Sequence, residues 1–142
     1  MISPSWPDPV PGLVIRYSYL WHSEHTIGRE EGVKNRPCAI VLAAPGKNVV
    51  VLPVTHSPPD GPAIEIPYAV KHRLGLDNER SWIVLVEANL FAWPGPDLRP
   101  AINGDPSSVV YGLLPRNFFR AVRDKFIDGV RARNLRVVRR TE

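Results

Sequence analysis

Cysteine is nearly missing from this 142-residue chain: there is one, Cys38. A single thiol supplies neither an internal disulfide framework nor a cysteine-based zinc site. No apolar run approaches the roughly 18 residues of a membrane-spanning helix. The opening MISPSWPDPVPG has neither a charged start nor an apolar stretch, so it does not read as a secretory signal. These absences point to the cytoplasm and to no membrane partner. Familiar catalytic signatures are missing too: there is no Walker loop, GxGxxG, GxSxG or HExxH. His22 and His25 flank Glu24, but a loop at that spacing fixes no geometry, and neither a metal nor another cofactor is expected. Cys38 follows Pro37 inside an apolar run and reads as a core residue.

Proline, by contrast, is abundant, with 16 in 142 residues against a usual ~5%. The last is Pro115, so 116–142 is proline-free. Proline fixes φ and removes a donor, which suits turns and short strands better than long helices. A mostly β body followed by one helix is therefore expected, as a single domain, since ~150 residues is a usual domain size. Charge is uneven as well. Residues 1–115 carry 9 basic and 11 acidic side chains, a balance of −2, whereas 116–142 carry 9 and 3, a balance of +6. The basic end either solvates a helix face and tail or contacts nucleic acid.

Residues 1–11, with four prolines, read as an extended arm, and 12–114 as the β body. At 13–20, Leu13, Ile15, Tyr17 and Tyr19 alternate with Val14, Arg16 and Ser18, the period of a strand. Residues 21–36 are polar and read as a long loop. Apolar runs at 38–44 and 48–55 read as buried strands on either side of a Pro45-Gly46 turn. A short edge strand is expected at 63–67, because Pro67 cannot serve a central ladder. A buried strand is expected at 82–87, a second long loop at 94–107, and one more strand near 108–111. Phe118, Phe119, Val122, Phe126, Ile127 and Val130 then recur at helical spacing. That places a helix at 115–134 and a basic tail at 135–142. Five to six short strands with a terminal helix suggest a small barrel or a strongly bent sheet.

Three polar groups at expected strand ends draw the eye. Arg36 precedes Pro37 and a buried strand, Thr55 ends the next strand ahead of His56 and Ser57, and Glu87 ends the strand that starts near Ser81. An arginine, a hydroxyl, a carboxylate and a histidine on one rim suit phosphate chemistry. The plainer alternatives are an ion pair of Arg36 with Glu30, Glu31 or Glu87, and a Thr55 hydroxyl that bonds its own backbone in a turn.

The order of motifs resembles the MazF/PemK family of toxin–antitoxin toxins. It runs from Gly12-Leu-Val-Ile through a polar loop with Gly28 and Gly32 to Lys34-Asn-Arg-Pro37 and Cys38-Ala-Ile-Val-Leu42. Val49-Val-Val-Leu-Pro-Val-Thr55 and Ser81-Trp-Ile-Val-Leu-Val-Glu87 follow. The resemblance implies a small SH3-like barrel (MazF/PemK/CcdB-like), a homodimer, and metal-independent cleavage of single-stranded RNA that a cognate antitoxin blocks. In that chemistry a ribose 2′-OH attacks the adjacent phosphorus, giving a 2′,3′-cyclic phosphate and a free 5′-OH. By position Arg36 and Thr55 match the family's catalytic pair, Glu31 its acidic loop residue and Glu87 its later acid. Glu31 or His56 would move the proton, and Lys34 and Ser57 would join Glu87 in binding substrate. Where the family often has Gln-x-Arg-Thr after that acid, this chain has Ala88-Asn89-Leu90-Phe91 and lacks the extra cation. That departure motivates a second expectation, a catalytically silent barrel that binds a protein target, as gyrase poisons of the superfamily do. A third is a nucleic-acid module that uses the basic tail.

Overall fold

The computed structural model describes residues 6–28, 34–44 and 48–140. Its elements, in order, are β1 (Leu13–Tyr17), α1 (His22–Thr26), β2 (Arg36–Ala43), β3 (Asn48–Thr55), β4 (Ala63–Glu65), α2 (Tyr68–Arg73), β5 (Trp82–Val84) and β6 (Glu87–Ala92). A 3-10 turn at Pro106–Val109 leads into β7 (Val110–Leu113), α3 (Arg116–Arg131) and β8 (Arg136–Arg139). The chain is mainly antiparallel sheet with a helix toward its C-terminal end. The sheet runs β4-β5-β3-β2-β1-β7, and β6 pairs with both β3 and β8.

Both faces of the central strands are covered. This is why 38–44 and 48–55 read as continuous apolar runs instead of alternating ones. Alternation sends Val14, Ala39, Val41, Leu52 and Val54 to one face, where they pack with Val70 of α2, with Leu74 just after it, and with Val122 and Phe126 of α3. It sends Ile15, Tyr17, Cys38, Ile40, Val49 and Val51 to the other face, against Tyr19, Phe91, Trp93 and Val109. Burying each of the larger side chains contributes about 1.5–3 kcal/mol. The Cys38 thiol has no exposed surface, and burial pushes its pKa up.

Several expected boundaries move. The run 82–87 is two strands, broken at Leu85–Val86, so Glu87 begins β6 where the sequence had it ending a strand. The break follows from β3, whose N-terminal part (Asn48–Val51) pairs with β6 while Val54 and Thr55 pair with β5. Pro53, which has no N–H to donate, lies at the changeover. Residues 21–36 are not all loop, because α1 occupies part of them, and α2 follows Pro67 with Val70 and Leu74 turned inward. Both helices are too short to show a period. Ile127 and Val130 are 37% and 48% exposed, so the buried face of α3 is narrower than its apolar pattern.

The largest correction concerns the basic tail. Residues 136–139 form β8, parallel to β6, and Arg140 beyond it is 5% exposed. Its Nη1 donates to the Ser18 carbonyl (2.7 Å), Asn89 Oδ1 (3.0 Å) and the Tyr17 hydroxyl (3.3 Å). Its Nη2 stands 3.0 Å from Asp97. Asn89 in turn bridges the Leu20 N–H and carbonyl. The chain end is thus anchored to the far end of β1. Among the described residues, no helix is long and apolar enough to cross a membrane.

Candidate functional site

Arg36 opens β2 on the face shared by Cys38 and Ile40. The ladder with β3 starts at Cys38, which pairs with Pro53, and Arg36 lies two residues before it, paired with Tyr17 of β1. The guanidinium is held from two directions. Nη1 donates to the Val54 carbonyl at 3.3 Å, and the guanidinium carbon sits 4.8 Å from the centre of the Trp21 ring. Trp21 is fixed by sequence-local means, since its backbone N–H donates to the Glu24 carboxylate of α1 (3.1 Å) and its ring meets Tyr19 edge-on. Stacking on an indole contributes about 0.5–1 kcal/mol at a partly exposed site. Arg36 Nε is buried and has no hydrogen-bond partner among the described residues. A buried donor without an acceptor is costly, about 1–3 kcal/mol, and an anionic oxygen at this edge would relieve that cost.

Thr55, the last residue of β3, is half-buried. Its Oγ1 accepts from the Ser57 N–H at 3.2 Å, the turn-forming bond that a threonine at a strand end commonly makes. A hydroxyl that accepts from Ser57 still has its proton to donate. Ser57 and Lys34 are both exposed, Lys34 two residues before Arg36. Glu87 is committed to the framework, its Oε1 accepting from the Tyr19 hydroxyl (3.1 Å) and the His22 N–H (3.0 Å). Burial, reinforced by the Glu87 charge, raises the pKa of Tyr19 well above its ordinary value and keeps it a donor. Glu87 therefore reaches Arg36 only through Tyr19 and Trp21. Glu31 lies outside the described residues.

His56 does not join this group. It stands with Pro37 and Val54 on the opposite side of the sheet, around a cavity of about 300 Å³. Its Nε2 is 2.8 Å from Asp77 and its Nδ1 3.4 Å from Glu79. The ligand atoms of these three residues lie within 4.8 Å of one another, close enough to hold a cation, and all three residues are exposed. Below them Lys71 is 3% exposed, and its ammonium donates to Asp77 Oδ1 (2.7 Å), Ser81 Oγ (2.7 Å) and the Glu79 carbonyl. Three acceptors use all three ammonium protons, so Lys71 ties the 75–81 loop to α2 and is not a free nucleophile or base.

That clip makes an acid-stability prediction. The Lys71 hydrogen bond holds the Asp77 carboxyl below its ordinary 3.8. A depressed folded-state pKa gives stability that is present above the unfolded value and lost as pH falls through the folded one. Asp77→Asn should therefore narrow the difference in urea midpoint between about pH 6 and about pH 3. The effect is modest, because the carboxylate is half exposed. An undiminished difference would show that other carboxylates set the acid limb.

Among the candidates read from sequence, Arg36 bonds the backbone of Val54, the residue before Thr55, and Thr55 is bonded to Ser57. Sequence reasoning missed Lys71 and Asp77, because nothing in a polar stretch marks a lysine as buried. It also missed Arg80, whose signal was available: a cation two residues before a tryptophan that begins a strand. The chain matches no protein-family model and no curated protein sequence.

Proposed function

We propose that this protein is the toxin of a type II toxin–antitoxin pair, a sequence-selective endoribonuclease that cleaves single-stranded RNA without a metal. In this reading the bent sheet is a small SH3-like barrel that works as a cytoplasmic homodimer and is blocked by a cognate antitoxin. The observation that carries the proposal is Arg36, whose guanidinium bonds the Val54 carbonyl next to Thr55 and whose Nε has no hydrogen-bond partner among the described residues. A guanidinium edge presents parallel donors that match two oxygens of a phosphodiester. As the 2′-OH attacks phosphorus, negative charge builds on those oxygens, and donors already in place stabilise it without reorganising. The Thr55 hydroxyl adds a third donor. With His56 committed to Asp77 and Glu79 on the other side, Glu31 is the proton carrier of this proposal. The bend of β3, shared between β5 and β6, supports the barrel.

The test is purified protein on unstructured RNA in excess EDTA. Fragments ending in a 2′,3′-cyclic phosphate on one side and a 5′-OH on the other are expected. A requirement for a divalent ion, or undiminished cleavage by Arg36→Ala, would overturn the proposal. One observation favours the silent, binding-only barrel: Glu87 is engaged by Tyr19 and His22, and the following residues bring no cation. Intact RNA at high protein concentration, with growth still arrested by expression, would select that reading.

A further inference from the structure

A single row of side chains crosses three strands and starts at the end of β3. Thr55 pairs with Trp82, and Trp82 pairs with Glu65 on the edge strand β4. Neighbours in such a row sit one strand spacing apart, so Glu65 is roughly 10 Å from Thr55. Exposure rises along it, from half-buried Thr55 and Trp82 to exposed Glu65. Arg80 folds back over the outer end. Its guanidinium carbon is 5.0 Å from the centre of a Trp82 ring, and its Nε and Nη2 donate to Glu65 Oε2 (2.9 Å) and Oε1 (2.8 Å). The arrangement repeats that at Arg36, a guanidinium placed over an indole ring. Here the fork is filled by a carboxylate, which has the same two-oxygen geometry as a phosphate. The Arg80 and Glu65 side chains are 72% and 41% exposed, so exchanging one anion for another in that fork costs little.

We infer that Arg80 and Trp82 form a second nucleotide subsite for single-stranded RNA, in which a phosphodiester displaces Glu65 from the Arg80 fork and an unpaired base stacks on the outer plane of the guanidinium. The indole already backs the inner plane, and bases stack readily on arginine planes. The inference rests on the reading of Arg36 and Thr55 as an RNA site, because it extends that site along the same row. It also supplies, from the loop before β5, a cation that the residues after Glu87 do not provide. Glu65 then acts as an internal competitor for the subsite.

Binding can be read apart from cleavage with a labelled single-stranded oligonucleotide of about a dozen residues, 2′-deoxy throughout so that it cannot be cut, by fluorescence anisotropy over a salt series. Arg80→Ala should weaken binding about tenfold and lower the salt slope by ~0.7, the value of one phosphate contact on a single strand. Arg123→Ala, an exposed arginine on α3, serves as the control and should do far less. Trp82→Leu should weaken binding while Trp82→Phe largely retains it. Glu65→Gln should tighten binding, and in an Arg80→Ala background it should do much less, because it acts through Arg80. Equal affinity for wild type and Arg80→Ala, a loss no larger than that of Arg123→Ala, or no binding by wild type would overturn the subsite. If RNA is cut in EDTA and cleavage needs Arg36 while Arg80→Ala binds normally, the subsite alone falls. If the oligonucleotide binds through Arg80 and RNA stays intact, the nuclease reading alone falls.

Discussion

Arg140→Ala should destabilise the fold by about 3–5 kcal/mol, the usual consequence of removing one partner of a buried ion pair. The loss would take a large share of the ~5–15 kcal/mol that a domain of this kind has in total. Three acceptors and a carboxylate converge on the guanidinium, which is 1% exposed, and alanine leaves them facing one another in a closed space. The Asp97 side chain, 10% exposed, loses a contact of 3.0 Å. Urea unfolding reads the effect as a lower midpoint at unchanged slope. Arg139→Ala is the proper comparison, since the neighbouring arginine is exposed and should stay within about 0.5 kcal/mol of wild type. Equal midpoints for the two variants would mean that the Arg140 network contributes nothing net. The same geometry changes how a truncation is interpreted. Removing 131–142 deletes β8 and Arg140 together, so any loss of nucleic-acid binding would report a disturbed fold before it reported a lost basic contact.

How much of this was legible in the sequence depends on the range of the interaction. Period-two alternation in 13–20 and the apolar runs at 38–44 and 48–55 identify the central strands, because each residue's face is set by its immediate neighbours. The ends of those strands were legible too, and with them Arg36 and Thr55, since Pro37 and the turn-rich stretch after Thr55 mark the boundaries locally. Partnerships were not. Arg140 meets Ser18 across 122 positions of sequence, and a run of basic residues at a chain end looks the same whether it is solvated or buried. His56 follows Thr55 directly, yet alternation turns it to the opposite side, where Asp77 and Glu79 await it. Adjacency in sequence made it look like a neighbour of the hydroxyl, while the pleat makes the two face apart. Glu87 shows the reverse case. It was singled out for its charge, and its partners are a phenol and a backbone N–H that hold the end of β1 against β6.

If the protein is the endoribonuclease proposed above, Arg36→Lys should abolish nearly as much RNA cleavage as Arg36→Ala, a loss of about 100- to 1000-fold in kcat, the scale seen when one preorganised donor to a developing oxyanion is removed. Lysine keeps the positive charge. It cannot present two parallel donors from one planar group, or hold a bond to the Val54 carbonyl with one donor while keeping others for a substrate. If the role of Arg36 is to stabilise charge that appears only as the 2′-OH attacks, kcat should fall and KM should change little. If it only attracts RNA, the lysine variant should retain most of its kcat and lose little affinity. Thr55→Val separates the second donor, because it removes the hydroxyl at nearly constant volume. About a tenfold loss is expected there, on the scale of a single hydrogen bond to a charged group. Arg36→Lys with more than a tenth of wild-type kcat would show that charge without geometry suffices. The stacked guanidinium would then be an anchor for β2 and no longer the centre of the chemistry.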